Sequence, residues 1–219
     1  MNNPSVKKKV YLLSGLGADQ RAFSLLDLSF CQPVFINWLQ PERNETLAHY
    51  ALRLLDQIIE PDATLVGLSF GGMIASEMAL LRPAFRVIIL ASIKTSNEFP
   101  PYFRVGKYIP LYRWAPNRLY KFRGRINRWF FGARSADAQS IFSAIQMDSN
   151  PKFVKWAIGA IFKWDLKLAN PNIIHIHGTQ DRLLPAKFVN AHYLIPGGTH
   201  ILPLDNSAEI SKLLKDLIA

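Results

Sequence analysis

Between Ala63 and Leu81 a short apolar run, Ala63-Thr64-Leu65-Val66, passes through Gly67-Leu68-Ser69-Phe70-Gly71-Gly72 into a second run, Met73 to Leu81, whose apolar residues recur with helical period. The pattern predicts a buried strand, a sharp turn and a helix, and it constrains the fold more than any other stretch. A turn that tight needs residues without a Cβ around it, which Gly67, Gly71 and Gly72 supply. Ser69, at the apex, is then held in a strained conformation with its hydroxyl raised above the sheet edge, the G-x-S-x-G context that a serine nucleophile requires. The first N–H groups of the helix point at the same spot. Negative charge developing on a carbonyl oxygen would be stabilised there by the Phe70 N–H and the helix dipole.

The rest of the chain repeats the alternation. Val10–Leu13, Val34–Trp38, Ala63–Leu68, Arg86–Ala91 and Ile173–His177 have the length and composition of buried parallel strands, and His192–Pro196 reads as a shorter sixth. Between them, Thr46–Ile59 carries Leu47, Tyr50, Ala51, Leu54, Leu55 and Ile58 on one helical face and ends before Pro61. Ser207–Ile218 carries Ile210, Leu213, Leu214 and Leu217, with Asn206 or Ser207 as its N-cap. Alternating strands and helices give an α/β fold built on a parallel sheet.

Residues 95–170 interrupt the alternation with helical patterns alone: Asn117–Phe131 with Leu119, Phe122, Ile126 and Trp129 on one face, a helix from near Ser135, and one from Asn150-Pro151 with Phe153, Ala157, Ile161 and Phe162 inside. The chain thus divides into core residues 1–94, an all-helical insertion 95–170, and core residues 171–219. The insertion holds Trp114, Trp129, Trp156 and Trp164, expected as the core of a small helical subdomain rather than as pocket walls.

A chain of 219 residues that is 49% apolar can bury one full core. The single cysteine, Cys31, has no intramolecular partner, which suits a reducing, cytoplasmic setting. Lys7-Lys8-Lys9 precedes an apolar run that stops at Ser14-Gly15, too short for a signal peptide, and no run approaches the length of a membrane span. The net charge of +10 is localised: residues 94–170 hold 14 of the 26 Lys and Arg but 4 of the 16 Asp and Glu. No nucleic-acid motif accompanies that excess, so it reads as a solvated basic surface or as the recognition site of an anionic group.

A serine hydroxyl is a weak nucleophile until a base takes its proton. Asp181, in His177-Gly178-Thr179-Gln180-Asp181, follows the fifth strand, and His200, in Gly197-Gly198-Thr199-His200, follows the sixth. Both fall at the carboxyl ends of parallel strands, the edge that also carries Ser69 and where open α/β sheets build their sites. Each residue has a plainer reading: a small residue in a tight turn for Ser69, a loop-capping carboxylate for Asp181. Asp205 is the fallback acid. His175 and His177 alternate along one strand, and with no acidic or thiol cluster beside them they read as structural rather than as metal ligands. His49 sits on a helix at the surface or the core edge. Gly15-Leu16-Gly17 follows a strand, but Gln20 replaces the third glycine and Asn37-Trp38 replaces the acidic residue of a dinucleotide site, so no cofactor is expected.

Taken in order, S-G-L-G-A-D after the first strand, G-L-S-F-G-G, H-G-T-Q-D-R-L-L-P and G-G-T-H make the chain resemble the α/β-hydrolase superfamily, from about Lys9 to the C-terminus. The resemblance implies a mostly parallel, roughly six-stranded sheet flanked by helices, with 95–170 as the family's helical cap. It implies Ser69 as nucleophile, His200 as general base and acid, and Asp181 as the group that orients the imidazole. It also implies an oxyanion hole from the backbone N–H groups of Leu16 and Phe70. Ser14 stands where many members have histidine, which bears on the shape of the Leu16 loop. The antiparallel strands that often open the fold are not seen ahead of Val10, leaving a minimal sheet with an exposed edge.

These readings converge on a cofactor-independent serine hydrolase of a small or medium acyl ester or thioester with an apolar body and an anionic end. The same triad would serve a C–C bond hydrolase or lyase. A catalytically silent module binding an acidic partner through the basic cap is the competitor from another class.

Overall fold

The computed structural model describes residues 7–103 and 129–219. Most of the helix expected over 117–131 and Trp114 lie outside the described residues, as do eight of the 14 Lys and Arg of residues 94–170. Six strands, β1 (Lys9–Leu13), β2 (Gln32–Phe35), β3 (Thr64–Leu68), β4 (Arg86–Leu90), β5 (Ile173–Gly178) and β6 (Tyr193–Ile195), form one sheet in the order β2-β1-β3-β4-β5-β6. Every pairing is parallel. The order reverses direction at β1, whose neighbours are β2 and β3. The crevice beyond the carboxyl ends of β1 and β3 is therefore the topological switch point, where open α/β sheets hold ligands. Leu13 is in register with Gly67, which brings the loop after β1 beside the turn after β3.

Side-chain alternation separates the two faces. Tyr11, Leu13, Leu65, Val87 and Ile89 pack with α1 (Leu47–Leu54) and α2 (Phe70–Leu81). Val10, Leu12, Val66, Ile88 and Leu90 pack on the other face with the C-terminal helix Ser207–Ile218. Helix α2 is buried almost all round, because it lies under both the sheet and the segment that follows β4. Helices α3 (Ala136–Asp148) and α4 (Pro151–Lys163) begin where Ser135 and Asn150 predict them. The Ser135 hydroxyl accepts from Ala138 N–H at 3.0 Å and the Asn150 side chain from Lys152 N–H at 2.9 Å.

Several expectations are corrected. The second strand ends at Phe35 instead of Trp38, because Trp38 leaves the sheet to donate its Nε1–H to the Ala18 carbonyl at 3.0 Å and to pack on Phe70 and Phe153. Pro33 is accommodated because β2 is an edge strand. α1 gives way at Leu55 to a 3-10 turn, and Ile59 N–H finds the Tyr11 hydroxyl at 3.3 Å. Helices α5 (Leu202–Asp205) and α6 (Ser207–Ile218) follow each other directly, and Asn206, at the N-cap of α6, makes no side-chain capping bond.

The described tryptophans of the insertion do not form a core of their own. Trp164 and Phe153 join the main core beside α1 and α2, Trp156 donates to the Glu45 carbonyl at 3.2 Å, and Trp129 is exposed. Ile145 of α3 packs on the opposite face of the sheet, so α3 and α4 are anchored to different cores.

Trp164 also carries a polar obligation, its Nε1–H meeting the buried Glu77 carboxyl of α2 at 2.6 Å. Burial pushes the Glu77 pKa up while that bond pulls it down. Trp164→Phe is expected to lower the unfolding free energy by about 1–3 kcal/mol, the cost of a buried acceptor left bare. Adding Glu77→Met should recover most of the loss in urea titrations. A wild-type midpoint for Trp164→Phe would show the bond to be inert.

Candidate active site

Ser69 follows β3 directly with φ 51° and ψ −115°, a conformation that L-residues avoid. The surroundings over-determine it. Ser69 N–H donates to the Leu90 carbonyl at 2.9 Å, and its own carbonyl accepts from Gly72 N–H at 2.9 Å and from the Ser92 hydroxyl at 2.6 Å. The glycines are needed for close approach: a Cβ on Gly67 would lie 2.6 Å from the Gly71 carbonyl oxygen, and one on Gly71 would lie 2.3 Å from that of Leu13. Ser92 escaped the sequence reading. It sits two residues past β4, after Ala91 at φ 45°, and its signal was a polar residue at the carboxyl end of a buried strand.

Asp181 lies in the turn after β5. Its Oδ1 accepts from Leu183 N–H at 2.9 Å and Leu184 N–H at 2.8 Å, while Oδ2 is 2.7 Å from His200 Nδ1. A carboxylate only accepts, so Nδ1 carries the hydrogen and Nε2 of a neutral ring is bare. That Nε2 is 2.8 Å from Ser69 Oγ, positioned to take the hydroxyl proton. Ser69, His200 and Asp181 are thus brought together from three strand ends. Asp205, the fallback acid, is turned elsewhere: Oδ1 accepts from Arg134 N–H at 3.1 Å and Oδ2 from the Thr199 hydroxyl at 3.0 Å.

The loop after β1 is fixed by the residue that departs from the family pattern. The Ser14 hydroxyl donates to the Ala18 carbonyl at 2.7 Å, and Ala18 N–H returns to the Gly15 carbonyl at 3.0 Å. Gly15 packs beside Ser69, with Leu16 half-buried next in the turn. Phe70 opens α2, and its N–H has no intrahelical acceptor.

Around these groups the site is aromatic. Phe131 meets the His200 ring at 5.4 Å between centroids, and Phe153 and Trp156 stand edge-on to Phe70. Beside the Asp181 and His200 loops lies a cavity of about 310 Å³ lined by Trp129, Arg134, Gln139, Gln180, Arg182 and Thr199. Arg182 is stacked on Trp129 at 4.4 Å and donates to its carbonyl at 2.8 Å. Arg134 and Arg182 are far apart in sequence and come to line one cavity only through tertiary structure, so sequence period did not pair them.

His175 and His177 are fully buried on β5, and burial, the largest cause in each case, lowers both pKa values below the ordinary 6.5. Neither joins a group of potential metal ligands among the described residues. The group that does form, Glu42, Glu45 and His49, has Arg53 bonded to both of its glutamates. No helix among the described residues is long and apolar enough to cross a membrane.

Against known proteins, the model of the Alpha/beta hydrolase family matches residues 10–213. No curated protein sequence matches the chain. Similar solved structures include a lipase-esterase related protein from Clostridium acetobutylicum ATCC 824, at 16% identity and TM-score 0.71 over 100% of this chain and 97% of that one. A hydrolase from Pseudomonas aeruginosa PA01 aligns at 17% identity and TM-score 0.73, over 100% and 92%. An esterase from Exiguobacterium antarcticum aligns at 17% and 0.72, over 96% and 91%. At such identities the structures speak for the fold.

The buried histidines have a consequence for acid stability. The unfolded chain protonates them near pH 6.5 and the native state does so only at lower pH, so their contribution is complete above pH 6.5 and is lost as pH falls. Urea unfolding free energy is expected to drop below pH 6.5 by up to about 1.4 kcal/mol per pH unit for each histidine. His175→Gln should remove one such contribution. Identical pH slopes for the two proteins would refute this.

Proposed function

The chain belongs to the alpha/beta hydrolase family, and from that premise we propose that it is a serine hydrolase of small or medium acyl esters or thioesters. The observation that carries the reading is the run of hydrogen bonds from Ser69 Oγ to His200 Nε2, 2.8 Å, and from His200 Nδ1 to Asp181 Oδ2, 2.7 Å. Ser69 Oγ attacks the acyl carbonyl as its proton passes to His200 Nε2, and the buried Asp181 carboxylate offsets the imidazolium charge. The carbonyl π pair moves onto oxygen, which is held by the N–H groups of Leu16 and Phe70. His200 returns the proton to the leaving alkoxide or thiolate. A water deprotonated by the same Nε2 then attacks the acyl-enzyme, and Ser69 is regenerated.

The substrate class follows from the lining. Phe131, against the His200 ring, suits an apolar acyl body, and the guanidinium groups of Arg134 and Arg182, neither paired with a carboxylate among the described residues, suit an anionic end such as a carboxylate or a phosphate. The esterase and lipase-esterase names of structural neighbours agree with ester chemistry.

Intact-mass spectrometry with a fluorophosphonate tests the triad. Wild type is expected to gain one adduct, Ser69→Ala none, and His200→Ala and Asp181→Asn to react about 10³- to 10⁴-fold more slowly. A folded wild-type protein that gains no adduct would sink the reading and favour a binding module. Among p-nitrophenyl substrates, Arg134→Ala with Arg182→Ala should raise KM for a hemisuccinate about tenfold or more and leave KM for the neutral butyrate unchanged. Equal KM changes for both esters would remove the anionic end from the proposal.

A further inference from the structure

Behind the proposed triad, the two buried imidazoles on β5 lengthen its hydrogen-bond run, and the acceptors dictate where their hydrogens sit. His177 Nε2 lies 2.7 Å from the Leu184 carbonyl, which can only accept, so this nitrogen is the protonated one. The Nδ1 of a neutral His177 is then bare and faces His175 Nε2 at 3.1 Å, which must donate. His175 Nδ1 is left as an acceptor, buried and without a partner. One backbone carbonyl thus sets both rings as Nε2–H tautomers, with each N–H directed toward the Asp181 turn. Both rings are fully buried, and burial favours their neutral forms.

His177 touches that turn at two points. Besides the Leu184 carbonyl, its Nε2 is 3.5 Å from Asp181 Oδ2, the oxygen that accepts from His200. Leu184 is gripped from both sides, its N–H on Asp181 Oδ1 and its carbonyl under His177. The other charged or titratable groups around the pair are Lys94 and Glu98 after β4, His192 before β6, and His200. Of these, His192 Nδ1 accepts from His175 N–H at 3.0 Å and pins the strand.

We infer that His177 is a positioning residue for Asp181, with His175 as the residue that sets its tautomer. Its Nε2–H holds the 181–184 turn against β5 and supports the carboxylate, so that Oδ2 is presented to His200 Nδ1. The inference rests on the reading of Ser69, His200 and Asp181 as a triad. A neutral donor suits the task. A positive charge fixed at His177 would compete with the His200 imidazolium for the same carboxylate oxygen, whereas an N–H dipole supports that oxygen without taking the charge.

The test uses the full chain labelled with ¹⁵N-histidine, as wild type, His177→Leu, His177→Gln and His175→Gln. Imidazole NMR at neutral pH is expected to show His175 and His177 as neutral Nε2–H tautomers and a hydrogen-bonded His200 Nδ1–H. In His177→Leu the His200 resonance should be lost to exchange. With p-nitrophenyl acetate, kcat should fall about 10- to 100-fold at unchanged KM, the scale of a displaced catalytic group. His177→Gln, whose amide nitrogen reaches the Nε2 position, should restore the resonance and the rate.

An Nδ1–H tautomer at His177 overturns the inference, and that measurement needs only the wild type, so it decides even if His177→Leu does not fold. A folded His177→Leu with wild-type resonance and kcat overturns it too, as do equal losses in the Leu and Gln variants. If the wild type is inert to fluorophosphonate yet the His200 resonance is present and vanishes in His177→Leu, the hydrolase reading fails and the positioning role stands.

Discussion

The first turn of α2 is pressed onto the carboxyl ends of β1 and β3 so tightly that a methyl group on Gly71 would collide with the carbonyls of Leu13 and Ser14. This contact forces the chain to reverse within one residue of β3, and the residue that does so takes a positive φ. The strain, of order 1–3 kcal/mol for such a conformation, persists because Leu90, Ser92 and Gly72 each bind the Ser69 backbone. Raised out of the sheet, the hydroxyl meets the ring that the β6 loop delivers, and the helix start leaves its first N–H groups at the same place. The switch of strand order at β1 opens the crevice in which these groups face one another.

Asp181 shows how a buried charge is kept in such a place. Its side chain has no exposed surface, yet the carboxylate is met by two backbone N–H groups, by His200 and, at longer range, by His177. Each donor replaces part of the hydration lost on burial. The groups that satisfy the carboxylate also fix its direction, so the electrostatics and the geometry of the site are one arrangement. The neighbouring arginines are held in a similar way, Arg182 by stacking on Trp129 and a bond to its carbonyl, Arg134 by a bond to the Gln180 side chain, all through neutral partners.

Much of this was legible along the chain. The strand positions followed from β-branched apolar runs, and the helix starts at Ser135 and Asn150 from capping chemistry, because both signals are local. Ser69, Asp181 and His200 could be picked out because each sits in a short motif at a strand end. What misled were residues whose partners are distant in sequence. Trp38 looked like strand and is a bridge to the Ala18 loop; Trp164 looked like the core of a separate subdomain and is bound to Glu77 in the main one. Ser92 and the arginine pair carried almost no local signal.

Periodicity and the glycine-flanked serine alone determined a parallel α/β sheet with a nucleophile-type turn, since hydrophobic period and steric freedom at the backbone are properties of neighbouring residues. The tertiary structure decided which acid turns to His200, which residue steadies the Leu16 loop, and how the protons lie on His175 and His177. The bond from His200 to Asp181 joins the ends of two strands, and even the short-range bonds, Ser14 to Ala18 and His175 to His177, depend on a loop path and on ring orientations set by tertiary packing, which the order of residues does not display.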